Sequence, residues 1–229
     1  MKIGIFDSGI GGTTIFRAVK EALPDEEYSY LADSKNCPYG EKSEEELKKI
    51  VVKNAETLLD WGAEIIVIAC NTATVRCIDY LRHKYPGIKF VGTEPAIKLA
   101  TNTTAKNILV LATPGTVDSE RAHQLVANNL KKDQKITLLP CPGLADTIEH
   151  TLDFDKNYCH LPLNEAQQKI IQEKLGELLN PIAEIPDAVV LGCTHYPLIK
   201  TEIQKFFPDA TLLDGADGVA HRVAEIAHL

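Results

Sequence analysis

Ile66-Val67-Ile68-Ala69-Cys70-Asn71-Thr72 and Val189-Val190-Leu191-Gly192-Cys193-Thr194-His195 are one phrase written twice. Each is a short apolar run, a small residue, a cysteine and a polar pair. An apolar run without polar alternation is what a parallel strand buried on both faces requires. A second pair of phrases precedes them. Ile3-Gly4-Ile5-Phe6-Asp7-Ser8-Gly9 and Ile108-Leu109-Val110-Leu111-Ala112-Thr113-Pro114-Gly115-Thr116 each run from a strand into a small-residue turn and then a helix.

Extending outward from these phrases predicts strands over 2–6, 27–32, 65–70, 89–92, 107–112, 135–140, 187–192 and 210–213, with helical segments between them. Ser43 and Glu46 form a capping-box pattern, Leu47, Ile50, Val51 and Leu58 mark one helical face, and Gly62 suits that helix's end. Strand–helix alternation throughout implies α/β architecture with parallel sheets. The repeat divides the chain into two pseudo-symmetric α/β lobes with an active site in the cleft between them. The first lobe is expected to hold 1–96 and 208–229 and the second 97–207, with crossings near Pro95 and Pro208.

Charge narrows the partners. There are 24 Lys and Arg against 32 Asp and Glu, a formal net charge of −8 over 229 residues. A non-specific nucleic-acid binder needs a basic footprint, and no long Lys/Arg block is present. No apolar run approaches the eighteen or so residues of a membrane span. The amino-terminal stretch reaches Asp7 before a signal-peptide apolar region can form, which predicts a cytoplasmic protein. The six cysteines, Cys37, Cys70, Cys77, Cys141, Cys159 and Cys193, contain no Cys-x-x-Cys pair, so neither zinc ribbons nor thioredoxin chemistry is expected. Reduced thiols are the default for such a chain.

In open α/β sheets the carboxyl ends of the strands are where ligands bind. A cysteine there, at a helix start, meets backbone N–H groups and a positive dipole end, which are expected to lower its pKa. Two lobes related by approximate symmetry aim Cys70 and Cys193 at one cleft from opposite sides. Inverting a stereocentre needs such a pair: one thiolate removes a proton from one face and one thiol returns it to the other. Asp7 can steer the proton of Cys70. His195, two residues after Cys193, can do the same on the other side. Glu149 is a further candidate near the second thiol, although an ordinary helix residue is an equal reading of it. Ser8 and Thr113 can add hydrogen bonds from the two first-strand turns. Asn71-Thr72 and Thr194-His195 offer donors suited to a carboxylate.

Asp7-Ser8-Gly9-Ile10-Gly11-Gly12, Pro38-Tyr39-Gly40-Glu41-Lys42, Ala69-Cys70-Asn71-Thr72-Ala73, Ala112-Thr113-Pro114-Gly115-Thr116 and Leu191-Gly192-Cys193-Thr194-His195-Tyr196-Pro197-Leu198 together closely resemble bacterial glutamate racemases, in order and over essentially the whole chain. The resemblance implies a cofactor-independent, metal-free amino-acid racemase of two α/β lobes that supplies D-glutamate for peptidoglycan, with a homodimer as the expected assembly. It also implies that Cys70 acts on the D enantiomer and Cys193 on the L enantiomer, with Asp7 and His195 assisting. Substrate would be held by Asp7, Ser8, Pro38, Tyr39, Gly40, Asn71, Thr72, Thr113, Thr116, Thr194 and His195. The stretch 152–162 and the Leu213-Asp214-Gly215 turn depart from that pattern. They bear on assembly rather than on the reaction.

Competing readings remain at this level. A lone cysteine at a strand end is usually a small buried hydrophobe, and Cys77, Cys141 and Cys159 are read so. Cys37 is expected near the cleft without a catalytic part. His83, His123, His150, His160, His221 and His228 read as surface or helix-end residues. Gly9-Ile10-Gly11-Gly12 after a strand, with Asp33 at the end of the next, imitates the fingerprint of a dinucleotide oxidoreductase, although Thr14 stands at its third glycine. Aspartate is the rival substrate within the racemase class, and a non-catalytic amino-acid-binding module is the rival outside it.

Overall fold

The computed structural model describes residues 1–153 and 162–228. Cys159 and His160 lie outside the described residues, as does most of the 152–162 stretch. The first part of the chain runs β1 (Lys2–Asp7), α1 (Thr13–Ala22), β2 (Glu27–Ala32), α2 (Glu44–Trp61), β3 (Ile65–Ile68), α3 (Asn71–Lys84) and β4 (Lys89–Gly92). The second runs α4 (Ile97–Thr101), β5 (Asn107–Ala112), α5 (Pro114–Val117), α6 (Glu120–Asn129), β6 (Lys135–Pro140), α7 (Leu144–Thr151), α8 (Glu165–Leu179), β7 (Ala188–Leu191), α9 (Lys200–Gln204) and β8 (Thr211–Leu213), before α10 (Ala216–Ala227).

Two four-stranded parallel sheets result, ordered β2-β1-β3-β4 and β6-β5-β7-β8. Their central pairs correspond. Phe6 is level with Ile68 on β1 and β3, and Leu111 is level with Leu191 on β5 and β7. Asp7 and Cys70 therefore leave one sheet side by side, as Thr113 and Cys193 leave the other. Every residue of β3 and β7 is buried, as an apolar strand covered on both faces must be. Leu47, Val51, Leu58 and Leu81 cover one face of the first sheet, and Ile15, Val19, Val219 and Val223 belong to the cluster on the other.

Local signals account for the element ends. The Ser43 hydroxyl accepts the N–H of Glu46 at the start of α2, and Gly62 closes it in the left-handed region at φ 96°. The expected reciprocal half of the capping box gives way to an ion pair, with the Glu46 carboxylate 3.1 Å from Lys42 Nζ.

One boundary is corrected. The sequence pattern puts the return to the first lobe at 208, yet β8 pairs with β7 in the second sheet. Only α10 crosses back, packing its Val219, Ala220 and Val223 into the cluster that holds Ile15 and Val19. A three-residue strand with only two apolar residues goes where a sheet edge needs a hydrogen-bond partner, and its proline neighbour does not decide that.

Candidate active site

The carboxyl ends of the two sheets face each other, and the side chains singled out above meet there. Cys70 is the residue before α3 and only 6% exposed, with the N–H groups of Thr72 and Ala73 and the Ser8 side chain hydrogen-bonded to its sulfur. Cys193 is equally buried and lies beyond β7 in a turn that leads to a short 3-10 helix at Tyr196–Ile199. Each thiol lies within the electrostatic reach of Asp7, and Cys193 within that of Cys70.

Asp7 ends β1 fully buried. Its Oδ2 accepts the N–H groups of Gly9 at 3.2 Å and Gly12 at 2.9 Å. From the opposite lobe the Thr194 hydroxyl donates to Oδ1 at 3.2 Å. Burial raises the Asp7 pKa, and this outweighs the lowering by His195 and the two N–H groups. A carboxylate in that condition takes up a proton more readily than an exposed one.

The second thiol has a longer relay. Cys193 Sγ lies 3.8 Å from His195 Nδ1, and His195 Nε2 lies 2.7 Å from Glu149 Oε2. Glu149 projects from α7 and also accepts the N–H of Ile10 at 2.8 Å and the Ser34 hydroxyl, both from the first lobe. Burial works to raise its pKa, but the His195 partner, the Ser34 hydroxyl and the Ile10 N–H together hold it below the ordinary value. Glu149 thus belongs to the cluster and is not an ordinary helix residue.

The expected lowering of the thiol pKa values is corrected. Cys70 is pushed up to about 12, chiefly by burial and next by Asp7. Cys193 is raised well above its usual value by burial, against the one N–H of His195 that favours its thiolate. Two or three N–H groups and a helix end do not offset the removal of water from a charged sulfur.

The remaining polar residues bond either across the lobes or within the first one. The Thr72 hydroxyl meets Thr113 Oγ1 at 2.8 Å and Thr116 Oγ1 at 3.2 Å across the interface. Asn71 donates to the Thr93 carbonyl at 3.3 Å. Gly40 and Gly115 touch, since a Cβ on Gly115 would lie 2.6 Å from the Gly40 carbonyl oxygen. Pro38 follows Cys37 through a cis peptide bond. Tyr39 is buried, with its phenol donating to Asp33 Oδ2 at 2.6 Å and accepting from Asn54 Nδ2 at 2.8 Å.

The glycine loop serves packing of the two lobes rather than a nucleotide. A Cβ on Gly9 would strike the Glu149 carboxylate, and one on Gly11 would come within 2.6 Å of the His195 backbone nitrogen. Asp33, the imitation ribose acid, is committed to Tyr39, Asn36 and Asn54.

Elsewhere Cys77 and Cys141 are buried core residues, and His83, His123, His150, His221 and His228 are exposed. Sequence reasoning did not single out Ser34 or Asn54. Asn54 left a trace, because it is a polar residue on the buried stripe of α2 that Leu47, Val51 and Leu58 define. No helix among the described residues is long and apolar enough to cross a membrane.

Residues 11–223 match the family model described as Asp/Glu/Hydantoin racemase. A glutamate racemase from Clostridium novyi is 38% identical over 225 residues, covering 96% of this chain and 81% of that protein. One from a Roseiflexus species is 39% identical over 227 residues, covering 98% and 78%. Among solved structures, the Escherichia coli glutamate racemase in complex with L-glutamate and the activator UDP-MurNAc-ala superposes with a TM-score of 0.85. It is 31% identical, with 99% of this chain and 82% of that one covered.

Proposed function

The chain belongs to the Asp/Glu/hydantoin racemase family, and from that premise we propose that it interconverts L- and D-glutamate by two-base proton transfer between Cys70 and Cys193. The observation that carries this reading is the convergence of both thiols, from matched strand ends of two lobes, on one buried site with separate proton partners.

Both thiols rest protonated, since burial raises both pKa values. A thiolate must therefore be made by passing a proton to a neighbour. Asp7, with its own pKa raised, takes that part beside Cys70. His195 takes it beside Cys193, and the Glu149 carboxylate at 2.7 Å stabilises the imidazolium that forms. One thiolate then removes the Cα proton while the opposite thiol protonates the other face. By the family likeness Cys193 removes the proton from L-glutamate and Cys70 from D-glutamate.

Ser8, Asn71, Thr72, Thr113, Thr116 and Thr194, with the Pro38-Tyr39-Gly40 segment, hold the substrate. Fixed donors around a water-excluded carboxylate favour the charge that develops at Cα. Because each thiol is 6% exposed, entry of substrate requires the lobes to part. No organic cofactor and no metal is needed for these proton transfers. Supply of D-glutamate for peptidoglycan, a cytoplasmic location and a homodimeric assembly follow from the family likeness alone.

Chiral analysis of purified protein incubated with L-glutamate and no additive tests the reading, with L-aspartate in parallel. Accumulation of D-glutamate is expected. A dominant aspartate rate would overturn the substrate, and unchanged L-glutamate after long incubation would leave only a binding protein.

A further inference from the structure

The proton transfers leave one thiol of the site without a task. Cys37 precedes the Pro38-Tyr39-Gly40 segment, is half-buried, and shares the Ser8 hydrogen bond with Cys70. Its sulfur, a Glu149 carboxylate oxygen and a His195 ring nitrogen all lie within 4.8 Å of one another. The three come from different elements: the loop before Tyr39, helix α7 and the turn after β7.

The geometry points to an inhibitory site for a thiophilic divalent cation of the zinc type, held by Cys37, Glu149 and His195. Sulfur, imidazole nitrogen and carboxylate oxygen are the donors zinc prefers, at about 2.0–2.3 Å from the ion. Ligand atoms around one tetrahedral ion stand farther apart than a hydrogen bond, so the 2.7 Å Glu149–His195 contact opens slightly while Cys37 closes in. A water or a substrate oxygen completes the set.

The surroundings favour the ion on charge as well. Two carboxylates, Glu149 and Asp7, lie within the electrostatic reach of Cys37. The two carboxylates that oppose a lone thiolate attract a divalent cation, and Cys37 gives up its proton to solvent as the ion binds. With thiolate, carboxylate and neutral imidazole as ligands, the bound site carries no net charge, which suits its burial. The consequence for catalysis is direct. An ion on His195 and Glu149 withdraws both from Cys193 and ties Cys37 in the first lobe to Glu149 and His195 in the second.

The test uses Zn²⁺ alone, competed against a chromophoric chelator on the reduced full chain, and Co²⁺ as a spectroscopic probe. One ion per chain is expected, with a thiolate-to-cobalt charge-transfer band. C37S is expected to lose that band, to bind zinc about tenfold or more weakly, and to keep racemising at zinc concentrations that stop the parent. E149Q is expected to weaken binding while keeping the band. Undiminished zinc affinity and an unchanged band in C37S would overturn the proposal, as would absence of binding. Loss of the band in C70S or C193S, with C37S unaffected, would move the ion to the reacting thiols and overturn it too. The binding readouts hold whatever the substrate proves to be.

Discussion

The two thiol corners begin as one motif and end as different machines. At Cys70 the strand passes straight into α3, a 14-residue helix, so two N–H groups and Ser8 reach the sulfur and Asp7 lies near. At Cys193 the chain turns into a short 3-10 helix, one N–H reaches the sulfur, and the carboxylate acts through an imidazole. Repetition of a fold copies the position of a reactive atom. What surrounds the atom is set by the loops and by the opposite lobe, which here supplies Ile10 N–H and Ser34 to Glu149 and Thr194 to Asp7. The first corner is a carboxylate–thiol pair and the second a carboxylate–imidazole–thiol chain.

The harshest way to break the comparison is to remove either sulfur. C70S and C193S are each expected to lower racemisation by about 10²–10⁴-fold or more, because a hydroxyl is a far weaker acid and the other corner cannot do both steps. Near-parental turnover in one variant would reduce that corner to scaffold. Substituting the glycine loop comes next. A Cβ at Gly11 would sit 2.6 Å from the His195 nitrogen, so G11A must displace one lobe against the other. A loss of up to about 10²-fold in kcat is expected, since misplacement by an ångström costs that much.

E149Q sharpens the contrast rather than abolishing activity. It keeps the shape of the relay and removes its charge, so a loss of about tenfold in kcat and a displaced limb in the pH–rate profile are expected. The same substitution has a stability signature with a definite sign. The folded-state pKa of Glu149 lies below its ordinary 4.5, so its ionised form contributes stability above that pH. This contribution is lost as pH falls through the lower folded value. Melting temperatures of parent and E149Q are expected to differ near neutrality and converge on acidification; a gap that widens in acid would reverse the assignment. The smallest effect belongs to Asn54. N54A strips a hydrogen bond from the buried Tyr39 phenol, at about 1–3 kcal/mol of stability, and is expected to raise KM more than it lowers kcat.

Much of this arrangement was legible in the chain. The apolar run Ile65–Ile68 and its echo at Ala188–Leu191 have no polar alternation, and burial on both faces follows from that alone. Cys70, Cys193 and Asp7 were legible because each lies within two residues of a strand end, and His195 because it follows Cys193 by two. Glu149 was not decided, because its role depends on Ile10 and Ser34, which are distant in sequence and meet it only when the lobes close. The thiol pKa values went the other way for the same reason. Local N–H groups are visible in a motif, whereas the exclusion of water is a property of the closed pair of lobes. The crossing at β8 is not legible because a sheet edge recruits its last strand by backbone pairing, and Thr211-Leu212-Leu213 carries too little pattern to show it.

Proton exchange with solvent tests the central claim most directly. L-Glutamate racemised in deuterium oxide and stopped after a small fraction has turned over is expected to give D-glutamate labelled at Cα, with the recovered L-glutamate still unlabelled. The same holds with the enantiomers exchanged. Equal early labelling of product and recovered substrate would contradict two thiols working from opposite faces and require a single base shared between them.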